Sequence, residues 1–170
     1  GDASGLGDVA WGRGNTTGYL RKDRTQGLPH LMEAAEHYRR AGNEFGGGWA
    51  LFEIGDISYQ VGDFATARKY LSQGLELFAA HGDVSAIVLF LSSFAGLAKA
   101  MGDDERAVEL AGAFHRLRAS SGTDLVTVDI NQVAGLELDT LEEMTGELGE
   151  AFRRGQKMDL EEAISFALSS

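Results

Sequence analysis

Cysteine is absent from the 170 residues, proline occurs once and tryptophan twice. Without cysteine there is no disulfide and no thiolate chemistry, a composition that fits a reducing cytoplasm. The lone Pro29 cannot sit deep in a helix and so marks a helix's first turn. Basic residues are scarce: 15 Lys and Arg stand against 26 Asp and Glu, for a formal net charge of −11 and a pI near 4.7. With no basic footprint, nucleic acid and anionic membrane surfaces are excluded as partners of this segment. No apolar run approaches the twenty residues of a membrane span, and the most hydrophobic stretch, Ala86 to Leu91, is bounded by Ser85 and Ser92. A soluble, cytoplasmic protein is expected.

Motifs of catalysis are also missing. His30, His37, His81 and His115 are scattered without a metal-ligand spacing such as HExxH, so no metal is expected. No GxSxG elbow accompanies the serines, and no GxxxxGK[ST] loop occurs. The glycine-rich pieces GDASGLGD (1–8) and FGGGW (45–49) lack the lysine and hydroxyl that hold a phosphate and its magnesium. This segment is expected to be non-enzymatic and to need no cofactor. It has no initiator methionine, and Gly1 to Asp8 carries neither the basic nor the apolar stretch of a signal peptide, which suggests a piece of a larger parent.

What is present is a ruler. Gly42, Gly62, Gly82, Gly102 and Gly122 recur every twenty residues, each followed by Asn43, Asp63, Asp83, Asp103 or Thr123. The glycine can take positive φ to end one helix, and the next side-chain oxygen caps the following one. Two segments make a forty-residue unit, a period that reads as a solenoid of helical hairpins. First helices are expected at about 5–20, 44–61 and 84–101, and second helices at 28–41, 64–81 and 104–120, with 22–27 as a loop. Superposing the segments from Asp23 and Asp63 places Leu31 over Leu71 and Tyr38 over Phe78. Core stripes of Ala50, Leu51, Ile54, Ser58 and Val61, and of Phe90, Leu91, Phe94, Ala98 and Met101, follow the helical period.

After Gly122 the ruler breaks. One or two short helices are expected over 123–145 around Leu125, Val126, Val128, Ile130, Val133, Leu136, Leu138 and Leu141, with the β-branched run at 126–130 opposing them. A strand there would lack a partner. A short helix is expected at 147–156, and a last one opened by an Asp159/Glu162 capping box, with Leu160, Ala163, Ile164 and Ala167 inward. The expected architecture is all-α: a right-handed solenoid of about three antiparallel hairpins (1–42, 43–82, 83–122) with a C-terminal capping set (123–170), in one continuous domain.

The repeats resemble tetratricopeptide units, forty residues implying longer helices than the usual thirty-four. The run AVELAGAFHRLRASSG (107–122), followed by AFRRGQKMDLEEAISFAL (151–168), resembles the C-terminal part of large bacterial predicted-ATPase, adenylate-cyclase and LuxR-type transcriptional regulators. The resemblance covers most of the chain, chiefly 62–168. It implies a sensor or scaffold region whose parent carries a cyclase or helix-turn-helix domain and an NTPase domain upstream. The partner implied is a protein or peptide, or the parent's own NTPase domain.

The face of the first helices opposite the core carries Val9, Gly12, Arg13 and Thr16, then Trp49, Phe52, Glu53 and Asp56, then Leu89, Ser92, Ser93 and Gly96. In a solenoid this face lines the concave groove, where aromatic anchors grip a peptide or helix. Trp49 and Phe52 either serve such a groove or pack against the next hairpin. An alternative is a small-molecule inducer held near Trp49, Arg13 and Asp56. The triplet Gly46, Gly47, Gly48, at about 1 kcal/mol each against alanine in a helix, marks either close helix packing or a frayed start, or else close approach of a ligand. Glu142, Glu143, Glu147 and Glu150 near Arg153 and Arg154 read as a solvated face with local ion pairs, and the acidic run at 103–105 as a helix's first turn. Exposed solenoid ends would allow a homodimer.

Overall fold

The structure, a computed structural model, describes residues 2–121, 132–133 and 136–169. These residues are all-α apart from one two-residue ladder. The helices are α1 (Ala3–Arg21), α2 (Leu28–Ala41), α3 (Glu44–Gln60), α4 (Phe64–His81), α5 (Val84–Ala100), α6 (Asp104–Ser121), α7 (Leu138–Glu143), α8 (Gly146–Gly155) and α9 (Leu160–Leu168). Strands β1 (Gln132–Val133) and β2 (Leu136–Glu137) pair antiparallel, Val133 opposite Leu136. Of the short helices expected over 123–145 the structure describes α7, while Val133 and Leu136, expected in a helix, stand opposite each other in the ladder, where each supplies the partner a strand was expected to lack. Gly122, Leu125, Val126, Val128 and Ile130 lie outside the described residues.

The ruler works as the glycines require. Gly42, Gly62, Gly82 and Gly102 take φ of 66°, 85°, 67° and 83°, the left-handed region that only glycine enters without strain. At three of them both bonds of a Schellman motif close: the Asn43, Asp63 and Asp103 amides donate to the Tyr38, Ser58 and Ala98 carbonyls, and the Gly42, Gly62 and Gly102 amides to those of Arg39, Tyr59 and Lys99. The following side chain then caps the next helix, Asn43 accepting from Gly46 N, Asp63 from Thr66 N, Asp83 from Ala86 N and Asp103 from Arg106 N. The helix ends therefore fall within two residues of the expected bounds. Two core residues do not: Val61 and Met101, assigned to the stripes, are 55% and 51% exposed. They occupy the C-cap just before a left-handed glycine, at the open end of the helix.

The chain forms two compact units, Gly1–Ala80 and His81–Ser170. In the first, α1 packs on α2 and α2 on α3, around Ala10, Leu31, Ala34, Tyr38, Ala50, Ile54 and Ile57. The loop expected at 22–27 is a 3-10 helix, Arg24–Gly27, capped by Asp23, and Pro29 stands in the first turn of α2. The glycine triplet is explained by close helix packing. A Cβ on Gly46 would lie 2.7 Å from the Tyr38 ring and one on Gly48 2.5 Å from the Phe78 ring, so the rings seat directly on the α3 backbone. Tyr38 and Phe78 are the pair that the ruler superposes. Tyr38 also covers Gly7 of α1, and its hydroxyl donates to Asp8 Oδ1 at 2.8 Å.

In the second unit α5 is buried around its whole circumference, from Ala86 to Leu91 and from Ser93 to Ala98, as its nearly unbroken apolar sequence dictates. It packs on α6, and α6 on α8. At that second contact Gly112 and Gly155 let backbones meet: a Cβ on Gly155 would overlap the Glu109 carbonyl, and one on Gly112 the Phe152 carbonyl. The capping box of α9 is complete, with Ala163 and Ala167 buried and Leu160 and Ile164 half-buried. Arg106 donates to the Ala167 and Ser169 carbonyls, satisfying the free end of α9.

Candidate functional site

The sequence places Arg13, Thr16, Trp49, Phe52, Glu53, Asp56, Ser92 and Ser93 on one face. The structure keeps only part of that face open. Val9, Gly12, Arg13 and Thr16 are exposed on α1. Leu89, Ser93 and Gly96 are buried and Ser92 half-buried, so α5 offers no open groove wall. The reason is α5 itself, whose apolar residues run around the helix instead of down one stripe, leaving it no solvent side.

On α3 the aromatics form a cluster. Trp49 stacks edge-on with Phe45 (centroids 6.2 Å apart) and Phe52 (5.7 Å), and lies 5.2 Å from Phe78 of α4, which also meets Phe45 at 6.0 Å. Tilted and T-shaped pairs of this kind add about 0.5–1.5 kcal/mol each beyond burial. Trp49 thus packs against the second helix of its own hairpin, and it remains half-buried with Phe52. Phe45, at the rim, is 63% exposed. It was legible as the residue one turn before Trp49, yet its place in the first turn drew attention only to the glycines that follow.

Glu53 and Asp56 do not stand free. Arg24, from the 3-10 helix, donates Nη1 to Asp56 Oδ2 at 2.9 Å and Nη2 to Glu53 Oε2 at 3.3 Å. Asp56 also accepts from Gln60 Nε2 at 2.8 Å. Burial pulls the Arg24 guanidinium down, but hydrogen bonding and charge from Asp56, then Glu53, outweigh it and raise its pKa. Burial pushes the Glu53 carboxyl up against the opposing pull of Arg24. Asp56 is therefore the principal counter-ion and Glu53 the weaker one. Arg24 was missed because 22–27 reads as a loop, where a side chain's direction is not set by any period.

In the tail, Arg154 and Glu142 find their partners across helices, not along them. Arg154 of α8 pairs with Glu105 (2.7 Å) and Glu109 (2.8 Å) of α6, and His115 of α6 with Glu142 of α7 (3.2 Å). In the acidic run at 103–105, Asp103 caps α6, Asp104 meets Lys99 at 2.7 Å and Glu105 meets Arg154. Glu33 sits between His30 (3.8 Å) and His37 (3.6 Å) on an exposed stretch of α2. Among the described residues no group of three His, Asp or Glu is placed to hold a metal ion, and no helix is long and apolar enough to cross a membrane.

No protein-family model, curated protein or solved structure matches the chain.

Proposed function

We propose that this chain is a non-catalytic protein-interaction or sensor domain, a tetratricopeptide-like solenoid from a multi-domain bacterial signalling ATPase or transcriptional regulator of the cytoplasm. Its first unit carries the contact. The observation behind this is the uneven placing of exposed apolar side chains: Leu6, Val9, Trp11, Leu20, Met32, Phe45 and Val61 in residues 1–80, against Met101 among the described residues of 81–170. Isolated exposed hydrophobics are ordinary, but an aromatic rim built on a packed cluster is how interfaces anchor a partner. Phe45, Trp49 and Phe52 supply that rim, their rings preorganised by Phe78 so that little side-chain entropy is lost on binding.

The partner is a protein or peptide, including the parent's own NTPase domain. Occupancy regulates that domain only if the partner binds its two states with different affinity. The test is affinity enrichment with the wild type and with Phe45→Ser and Trp49→Ala, followed by titration of the purified partner. A partner that loses at least tenfold in affinity for both variants, at unchanged helicity, supports the reading. Equal affinity for all three proteins removes it.

A further inference from the structure

Helix α1 is built inside out. The positions it buries are small, Gly7, Ala10, Gly14 and Gly18, and side chains of α2 seat on them, Tyr38 over Gly7 and Leu31 over Gly14. Large apolar side chains face solvent instead, Leu6 at 54%, Val9 at 55% and Leu20 at 73% exposure. With Arg13 and Thr16, also exposed, they recur at steps of three and four residues, so that 6, 9, 13, 16 and 20 form one stripe along the helix. Exposed hydrophobics scattered singly are ordinary, but a helix normally turns such a stripe inward.

Helix α3 shows what covers such a face. Tyr38 and Leu31 of α2 meet Gly7 and Gly14 of α1 as Phe78 and Leu71 of α4 meet Gly48 and Gly55 of α3, so the two first helices correspond with an offset of forty-one residues. Leu6, Val9, Arg13 and Thr16 then fall on Gly47, Ala50, Ile54 and Ile57. Those four residues of α3 are buried under α2, Gly47 and Ala50 against Tyr38, and Ile54 and Ile57 against Leu31. The stripe on α1 is the same face, uncovered. Its chemistry departs most where α3 has Ile54, because α1 has Arg13 there. That guanidinium has no partner among the described residues, and no acidic residue stands three or four positions from it on α1.

We infer that this face docks a partner helix lying on α1 as α2 lies on α3, amphipathic like α2 but with a carboxylate where it meets Arg13. The carboxylate gives Arg13 a charge-assisted bond between apolar contacts at Val9 and Leu6 on one side and Leu20 on the other. A second copy of this chain does not fit. Residue 13 is the midpoint of the stripe, so antiparallel pairing of two α1 helices and in-register parallel pairing both set guanidinium against guanidinium, and like charges at a helix seam reject the pairing. The second unit supplies no helix for head-to-tail pairing either: Met101 is the one large apolar side chain exposed among the described residues of 81–170. The inference stands apart from the aromatic rim of α3, which shares no residue with the stripe.

The probe is the sequence of α2 itself, Leu28–Ala41. Ala35 packs beside both the Ala50 and the Ile54 clusters, so an acid at that position reaches the place of Arg13. Two fluorescent peptides, one with Ala35→Glu and one with Ala35→Lys, each held helical by a staple between positions 32 and 36, are titrated into the full chain and followed by polarisation. The glutamate peptide is expected to bind saturably and about tenfold tighter than the lysine peptide, although the net charge of −11 favours the lysine peptide at long range. Arg13→Glu should reverse that order. Val9→Asp, at an exposed position, should abolish binding of both peptides at unchanged helicity, and Trp49→Ala should change neither. Absence of saturable binding, an order of affinities that Arg13→Glu leaves in place, or binding that survives Val9→Asp would overturn the inference. A loss in Trp49→Ala would overturn it by placing the peptide on the rim, and so would dimerisation in sedimentation that Val9→Asp removes, by assigning the stripe to a second copy.

Discussion

The two units solve the same packing problem with different materials. Residues 1–80 hold eight basic and ten acidic side chains, both tryptophans and all four tyrosines; residues 81–170 hold seven basic against sixteen acidic, and neither tryptophan nor tyrosine. In the first unit, glycines on α1 and α3 receive aromatic rings, Tyr38 against Gly7 and Gly46 and Phe78 against Gly48. In the second, glycines receive backbone, Gly155 against the Glu109 carbonyl and Gly112 against the Phe152 carbonyl. A ring can tilt by a few tenths of an ångström, whereas a helix backbone carries its hydrogen-bonded neighbours with it. The ring contacts on α3 should therefore tolerate change, whereas the α6–α8 crossing, like the one backbone contact of this kind in the first unit, Gly27 on the Gly14 carbonyl, should be rigid.

The largest expected effect tests that contrast directly. Gly155→Ala should cost about 3 kcal/mol or more, since overpacking against backbone cannot be relieved by a rotamer. Gly48→Ala, at the same helical propensity gain of about 1 kcal/mol, should cost only about 1–2 kcal/mol, because the Phe78 ring can yield. Urea unfolding followed by circular dichroism checks both. Equal losses would show that ring and backbone contacts resist a methyl group alike.

How much of this was legible in the sequence depends on whether a period governed the residue. The boundaries from the end of α2 to the start of α6 followed from glycine and its capping neighbour, which act locally and left little for tertiary structure to override. The capping box of α9 was readable for the same reason. Three things were not. The burial of Leu89, Ser93 and Gly96 depends on what surrounds α5, and a face assigned by analogy with α3 ignored that α5 is apolar all round. The Arg24 clamp comes from a segment with no helical phase, and so no sequence spacing links it to Glu53 and Asp56. The partners of Arg154 lie 45 and 49 residues away, so the nearer glutamates Glu147 and Glu150 misled a local reading.

A smaller effect separates the units by pH. The Tyr38 hydroxyl is pushed up to about 12, first by burial and then by its bond to Asp8. In the unfolded chain a tyrosine ionises near 10. Because the folded value is the higher, the contribution of Tyr38 is whole below pH 10 and is lost as pH rises through 12. Tyr38→Phe should lower stability at pH 7 by about 1 kcal/mol, the net worth of one hydrogen bond, and flatten the fall in stability between pH 10 and 12. Tyr59 is also raised, burial being the main cause, so the informative curve is the difference between wild type and variant in tyrosinate absorbance. A variant with the wild-type alkaline slope would mean that Tyr38 ionises in the folded state as freely as in the unfolded one.

The smallest effect belongs to the acidic unit and concerns Arg154. Its guanidinium is raised chiefly by the hydrogen bond to Glu109, and it also holds Glu105. Both are surface pairs, and such pairs contribute little because water and side-chain entropy offset the attraction. Yet sixteen acidic residues against seven basic ones leave this unit with repulsion that every cation relieves. Arg154→Ala should therefore lower the urea midpoint slightly in low salt, and the difference should close by 1 M NaCl, where screening acts within about 3 Å. Arg106→Ala provides the contrast, since its bonds run to backbone carbonyls at the end of α9 and lose less to salt. If the Arg154→Ala deficit persists at 1 M NaCl, the residue acts by packing between α8 and α6, and the charge imbalance of the second unit is not what it corrects.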